Sequence, residues 1–107
     1  MATSVKVDAN VITLINVLTV EPANQPHLLA LLRENTENTI SKLEGWITTN
    51  LIASRDKRRV VIYSQWKALA NVEAMRADPR MVAYLPRLAA LASFDSIVGD
   101  VVLSHTH

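Results

Sequence analysis

Cysteine is absent from the 107 residues, and that absence removes disulfides, thiolate nucleophiles, cysteine-ligated zinc and iron–sulfur clusters together. A reducing cytoplasm is the compartment that fits. Glycine occurs only as Gly45 and Gly99, too sparsely for a phosphate-cradling loop, a nucleophile elbow or a dinucleotide fingerprint, so nucleotide and flavin use find no support. No excess of either charge exists. Eleven Lys and Arg stand against ten Asp and Glu, a formal net charge of +1, which leaves no broad footprint for a nucleic-acid backbone or an anionic membrane. The apolar stretches are broken by Thr13, Asn16 and Thr19, or by Ser64 and Gln65, and are too short to span a bilayer. Met1 to Asn10 has neither the basic start nor the long apolar run of a secretory signal. His27 stands at a predicted helix start and His105 and His107 in the tail, so no pair has helical ligand spacing and no metal is expected. The expected protein is soluble and cytoplasmic, without nucleic-acid or membrane partners.

What is present is half apolar and sufficient for one domain, with no composition shift that would mark a second. Val11 to Val20 (VITLINVLTV) is rich in β-branched residues and stops at Glu21-Pro22, which predicts a first strand. Pro26 suits a first helical position, and Leu28, Leu31, Leu32, Thr36, Ile40 and Leu43 repeat at helical spacing, so a long helix is expected to run to Gly45. Trp46 to Ala53 and Arg59 to Trp66 read as a hairpin around the charged connection Ser54 to Arg58. A short helix follows Trp66. Asp78-Pro79 then caps another, which Pro86 is expected to kink or divide. Ile97 to Ser104 (IVGDVVLS) has strand composition, with Gly99 at a bulge or close contact. The expected organisation is an extension over 1–10, a domain over 11–104 and a tail over 105–107.

Strand, helix, strand, strand, broken helix, strand is the order of an α+β, ferredoxin-like βαββαβ fold, a four-stranded antiparallel sheet with its helices on one face. Strands one and three carry apolar side chains on both faces, so the uncovered face would leave a large apolar surface in a monomer. A homodimer through the sheet faces is the expected remedy.

Few residues in this pattern carry chemistry. Trp66, closing the third strand, shares a face with Val60, Ile62 and Ser64; its ring either packs in the core or borders a cavity. Asn16 is an amide in the middle of an apolar strand, either paired internally or facing a ligand. Arg80, Tyr84 and Arg87 on the broken helix either sit at the surface or line the mouth of a pocket. Arg55, Lys57, Arg58 and Arg59 form a basic cluster that Asp56 interrupts, and it reads as a solvated turn.

The run Val60 to Leu91 (VVIYSQWKALANVEAMRADPRMVAYLPRLAAL), with the Asn16 strand, the Tyr-Ser-Gln-Trp segment Tyr63 to Trp66 and the Ala-Asp-Pro-Arg segment Ala77 to Arg80, resembles the antibiotic biosynthesis monooxygenase family of small dimeric α/β barrels. The resemblance spans roughly Val11 to Val102. It implies a cofactor-independent oxygenase that converts an anthrone-type or phenolic polycyclic aromatic polyketide to a quinone, with dioxygen as co-substrate. The substrate anion would pass one electron to dioxygen, and the caged radicals would combine as a peroxide that loses water, while the protein binds, orients and excludes solvent.

By the same resemblance, Trp66 matches the family's cavity tryptophan, whose indole N–H could hold the dioxygen-derived oxygens. Asn16 matches an asparagine that hydrogen-bonds substrate. Both are the implied catalytic residues, with Ile62, Val72, Met75, Arg80 and Tyr84 as substrate-binding positions. Ile62 stands where these oxygenases often carry an asparagine, and Val72 where they often carry a tyrosine. Haem-degrading relatives place an iron-ligating histidine on the helix after the tryptophan; Lys67 to Arg76 contains none. The alternatives to an oxygenase are a non-catalytic dimeric ligand-binding or assembly barrel, and a quinol oxygenase or isomerase on the same fold.

Overall fold

The computed structural model describes residues 11–106; the expected extension over 1–10 and His107 lie outside the described residues. The order is β1 (Ile12–Val20), α1 (Gln25–Asn38), β2 (Trp46–Ala53), β3 (Arg59–Trp66), α2 (Leu69–Ala77), α3 (Pro79–Ala89) and β4 (Ala92–Gly99). The strands form one sheet in the order β2-β3-β1-β4, and all three pairings are antiparallel. This is the expected ferredoxin-like arrangement. None of the described helices is long and apolar enough to cross a membrane.

Alternation decides which side chains meet the helices. On β1 the even positions Leu14, Leu18 and Val20 are buried at 5 % exposure or less, opposite Ser64 and Val60 of β3 in the ladder. They pack with Leu28 and Leu32 of α1, Val72 and Met75 of α2, and Met81 and Leu88 of α3 in one core. The odd positions Ile15 and Val17 are half-buried on the opposite face, where Ile52 and Ile97 are more than half exposed. Buried Gln65 donates to Thr13 Oγ1 across this outer face at 3.2 Å.

The hairpin has the expected limits, and its turn is held by short-range polar contacts. Ser54 Oγ donates to Asp56 Oδ1 at 2.7 Å, and Asp56 Oδ1 also accepts from the Arg58 amide at 3.0 Å. Lys57 takes the left-handed conformation at φ 66°. Gln25, at the start of α1, reaches this hairpin from below: its Nε2 donates to the carbonyls of Ser54 and Arg59 at 3.3 and 3.1 Å. The basic side chains of the connection stay exposed, as a solvated turn requires. Asp78 caps α3 by accepting from the Arg80 amide at 2.8 Å.

Four expectations are corrected, that for Pro86 in part. The first helix ends at Asn38, seven residues before Gly45. Thr39 leaves the helical region (φ −126°, ψ −65°) and a short 3-10 turn over Ile40–Lys42 follows, because Thr36, Thr39 and Ile40 are β-branched and favour helix weakly. Gly45 instead makes the turn into β2 at φ 83°, and a Cβ there would overlap the Asn71 side chain. Pro86, expected to kink or divide α3, does not divide it: the helix continues to Ala89. Pro86 is on the exposed side, where water can take the carbonyl that its missing N–H leaves free. The last strand is Ala92–Gly99, not Ile97–Ser104. Its ladder pairs Val20 with Ala92 and Thr13 with Gly99; β1 begins at Ile12, so beyond Gly99 only Asp100 would still have a β1 residue opposite it, and Val101 to Ser104 run past the end of that strand. Gly99 is therefore a strand end, and a Cβ there would meet nothing within 4 Å.

Candidate functional site

A cavity of about 270 Å³ lies between the inner sheet face and the three helices. That is close to the lower end of small-molecule pockets, about 300–1,000 Å³. All four strands contribute to its floor: Leu14, Asn16 and Leu18 from β1, Thr49 from β2, Ile62, Ser64 and Trp66 from β3, Phe94 and Ser96 from β4. The helices close it with Leu32, Asn35 and Thr36, with Met75 and Arg76, and with Met81, Tyr84, Leu85 and Leu88. The wall is mainly aliphatic and aromatic, which suits a flat apolar ligand fixed by a few polar groups.

Trp66 is 1 % exposed and borders the cavity. Its Nε1 donates to Ser64 Oγ at 3.2 Å, and Ser64 Oγ donates to the Leu14 carbonyl at 3.3 Å. The indole N–H that could hold an oxygen of a ligand is thus occupied by a neighbouring hydroxyl. Asn16 faces Ile62 across the β1–β3 ladder and Ser96 across the β1–β4 ladder. Ser96 Oγ donates to Asn16 Oδ1, so internal pairing and a cavity-facing position are both true of this amide. Elsewhere on the wall, Trp46 Nε1 donates to Thr49 Oγ1 at 2.8 Å and Asn35 Nδ2 to Met81 Sδ at 3.4 Å.

Tyr84 has no such partner. Its hydroxyl is the one buried side-chain polar atom among the described residues without a hydrogen bond. Burial raises its ionisation to about 12, with Arg87 pulling it down and Glu34 pushing it up to lesser extents. At neutral pH it is a donor, not a base. Arg76 is the remaining ionisable group in the lining, and no acidic residue or histidine is among the lining side chains. Among the described residues no three His, Asp or Glu side chains gather where they could hold a metal ion.

The structure therefore brings Trp66, Asn16, Ile62, Met75 and Tyr84 to one cavity and places two other expected positions elsewhere. Val72 is fully buried in the core and lies outside the cavity lining. Arg80 is exposed and its guanidinium is bound to Asp78, Nη2 to Oδ2 at 2.9 Å; that contact holds the Asp78 carboxyl below its usual range, chiefly through the side-chain hydrogen bond from Arg80. It borders instead a second, polar depression of about 250 Å³ between α1 and α3, with Glu34, Asn38 and Arg87. Ser64 and Ser96, the partners of Trp66 and Asn16, were not singled out by sequence. Alternation from Trp66 points to Ser64. Ser96 was hidden because the last strand was expected to start one residue after it.

A model of the antibiotic biosynthesis monooxygenase family matches residues 11–87. The tetracenomycin-F1 monooxygenase of Streptomyces glaucescens is 41 % identical over 69 residues, which are 64 % of this chain and 62 % of that protein. The match thus spans less than two thirds of the curated relative's length. In fold, the chain is similar to SnoaB, a cofactor-independent oxygenase from Streptomyces nogalater, at a TM-score of 0.76 and 20 % identity over 90 % of this chain and 97 % of that one. A protein of Mycobacterium tuberculosis is similar at a TM-score of 0.76 and 17 % identity, over 90 % and 99 %.

Proposed function

From the premise that the chain belongs to the antibiotic biosynthesis monooxygenase family, we propose that it is a cofactor-independent monooxygenase that oxidises an anthrone-type or phenolic polycyclic aromatic polyketide to a quinone. The observation that carries this reading is the cavity itself: an apolar hollow with Trp66 and Asn16 on its floor, where a solidly packed tryptophan would have spoken for a structural role. The names of the relatives agree with it, an oxygenase without cofactor in one case and a tetracenomycin-F1 monooxygenase in the other.

In this reading the electrons come from the substrate. Loss of a proton from the reacting CH2 gives a delocalised anion, which passes one electron to dioxygen. The two radicals combine to a peroxide, and loss of water leaves a C=O, so that CH2 and O2 become C=O and H2O. No lining side chain is a general base near neutral pH. The site therefore acts by favouring the anion, for which the Arg76 guanidinium supplies a cation and the Asn16 amide a donor, and by excluding water.

A second reading, a ligand-binding barrel without turnover, draws on one observation: the Trp66 N–H is already bonded to Ser64. Oxygen-electrode assays separate the two. Chelator-treated protein consumes dioxygen with a model anthrone faster than the anthrone does alone, and Trp66→Phe and Asn16→Ala lose about ten-fold or more. Anthrone oxidation that never exceeds the spontaneous rate, with ligand still bound, establishes the binding reading.

The partner in this proposal is a second copy of the chain, paired through the outer sheet face that carries Ile15, Val17, Val61, Ile52 and Ile97. Light scattering at the mass of two chains supports it; a single-chain mass at micromolar concentration refutes it.

A further inference from the structure

The Tyr84 hydroxyl is an anomaly: the wall's other aromatic donor, Trp66, is matched, and so is Trp46 just behind Thr49. Trp46 and Trp66 each give their N–H to a side-chain oxygen, whereas the oxygen of Tyr84, on a residue only 7 % exposed, has no partner. Buried hydroxyls are almost always bonded, and leaving one bare is unfavourable. Phenylalanine would supply the same ring here without that penalty, so packing alone gives no reason for the oxygen.

Its position suggests one. Tyr84 stands in the wall common to the cavity and to the polar depression beside Arg80 and Arg87. It belongs to the helix layer, whereas the Asn16–Ser96 and Trp66–Ser64 pairs belong to the sheet. No hydrogen bond latches the ring in place, so a turn of its oxygen toward a ligand would cost no internal hydrogen bond.

We propose that Tyr84 O–H donates to a carbonyl or phenol oxygen of the bound aromatic ligand, so that the cavity selects molecules presenting one oxygen to the sheet at Asn16 and a second to the helix layer. The proposal rests on the polycyclic ligand class proposed above and adds to it a rule for where the oxygens stand. Burial keeps the phenol protonated to about pH 12, as a donor must be, and Arg87 and Glu34, the charges nearest in effect, oppose each other.

Anthraquinone, with an oxygen on each side of the central ring, and anthracene, with none, are the probes, and quenching of tryptophan fluorescence reads binding. The native protein should bind anthraquinone the more tightly, and Tyr84→Phe should weaken anthraquinone about five- to ten-fold while leaving anthracene unchanged or tighter. Equal anthraquinone affinity in native and Tyr84→Phe protein overturns the role of Tyr84 and leaves the ligand class standing. Failure of native protein to bind either probe overturns both. A measurement on native protein stands beside the variant: with tyrosine labelled at Cζ, the Tyr84 resonance should move on adding anthraquinone but not anthracene, with Tyr63, the second of two tyrosines, as internal control. No movement with saturating anthraquinone sinks the proposal whatever the variant does.

Discussion

Replacing Ser64 by alanine should uncouple the tryptophan from its only partner, and the cost can be worked from the geometry. Ser64 Oγ accepts from Trp66 Nε1 at 3.2 Å and donates to the Leu14 carbonyl at 3.3 Å, the first at the long end of the usual range for N–H···O and the second beyond that for O–H···O. Ser64→Ala leaves the indole N–H without a protein acceptor on a residue 1 % exposed, about 1–2 kcal/mol, and the lost bond to Leu14 adds about 0.5–1 kcal/mol, for a total of ~2 kcal/mol. Trp66→Phe removes the donor together with part of the buried ring, about 1–2 kcal/mol from lost contact. In the double variant no donor remains to be orphaned, so its destabilisation should fall short of the sum of the single ones by ~1 kcal/mol. Urea unfolding of the four proteins measures this coupling. A coupling below ~0.3 kcal/mol, the ordinary scatter of additive sites, would refute the claim that the serine and the indole satisfy each other. A second readout concerns the cavity: Ser64 and Trp66 both line it, so removing the Ser64 hydroxyl should open the indole N–H to it, and bound anthraquinone should raise the melting temperature of Ser64→Ala more than that of the native protein. An equal or smaller rise contradicts the placement of the indole nitrogen at the cavity.

Three further outcomes follow from the packing. Gln25→Ala should cost about 1–2 kcal/mol in urea unfolding rather than more, because the Ser54 and Arg59 carbonyls that lose the amide keep the backbone donors Lys57 and Ser54; a loss above ~3 kcal/mol would show that the clamp does more than two hydrogen bonds. Val72→Tyr should destabilise by ~3 kcal/mol or prevent folding, since Val72 is fully buried outside the cavity; a stable Val72→Tyr protein with raised ligand affinity would show that this position opens into the site. Because burial raises the Tyr84 ionisation from 10.0 to about 12, the unfolded chain loses that proton first. The contribution is complete below pH 10 and declines as pH rises to about 12. The difference in stability between native protein and Tyr84→Phe should shift in favour of the variant over that window in alkaline denaturation; a constant difference would contradict the burial.

The parts of this fold that sequence discloses are those settled within a few residues. The hairpin limits at Trp46, Ala53, Arg59 and Trp66 follow from β-branched runs on either side of a polar turn whose Ser54 and Asp56 bond their own neighbours. The Asp78-Pro79 cap is equally local. The last strand is not: Ala92, Ser93, Asp95 and Ser96 have little strand preference, and they become β4 through eight pairings with β1, more than 70 residues away. Sequence composition favoured the more β-branched stretch beyond, for which β1 offers no continuation. The same distance dependence divides the site. Asn16 and Trp66 stand out as a polar group in an apolar strand and an aromatic at a strand end, but Arg80 is claimed by Asp78 two residues away, and Val72 turns into the core instead of the cavity. A helical stripe tells which side of α2 is buried; it does not tell whether side chains or empty space lie beneath it.

Asn16 and Ser96 meet because the β1–β4 ladder sets them opposite one another, and they face the hollow because each stands an even number of residues from a core position on its own strand. A pleat repeats every two residues, so a shift of β4 by one would turn Asp95 or Ile97 inward where Ser96 now stands. The floor would then carry a carboxylate or a branched hydrocarbon in place of a neutral hydroxyl. The link from α3 to β4 is only Ala90 and Leu91. A gain or loss of one residue there, carried into the strand, would change an anion-favouring hollow into an anion-repelling or inert one without altering a single side chain of the sheet, which makes the acid–base character of this chain a matter of alignment as much as of composition.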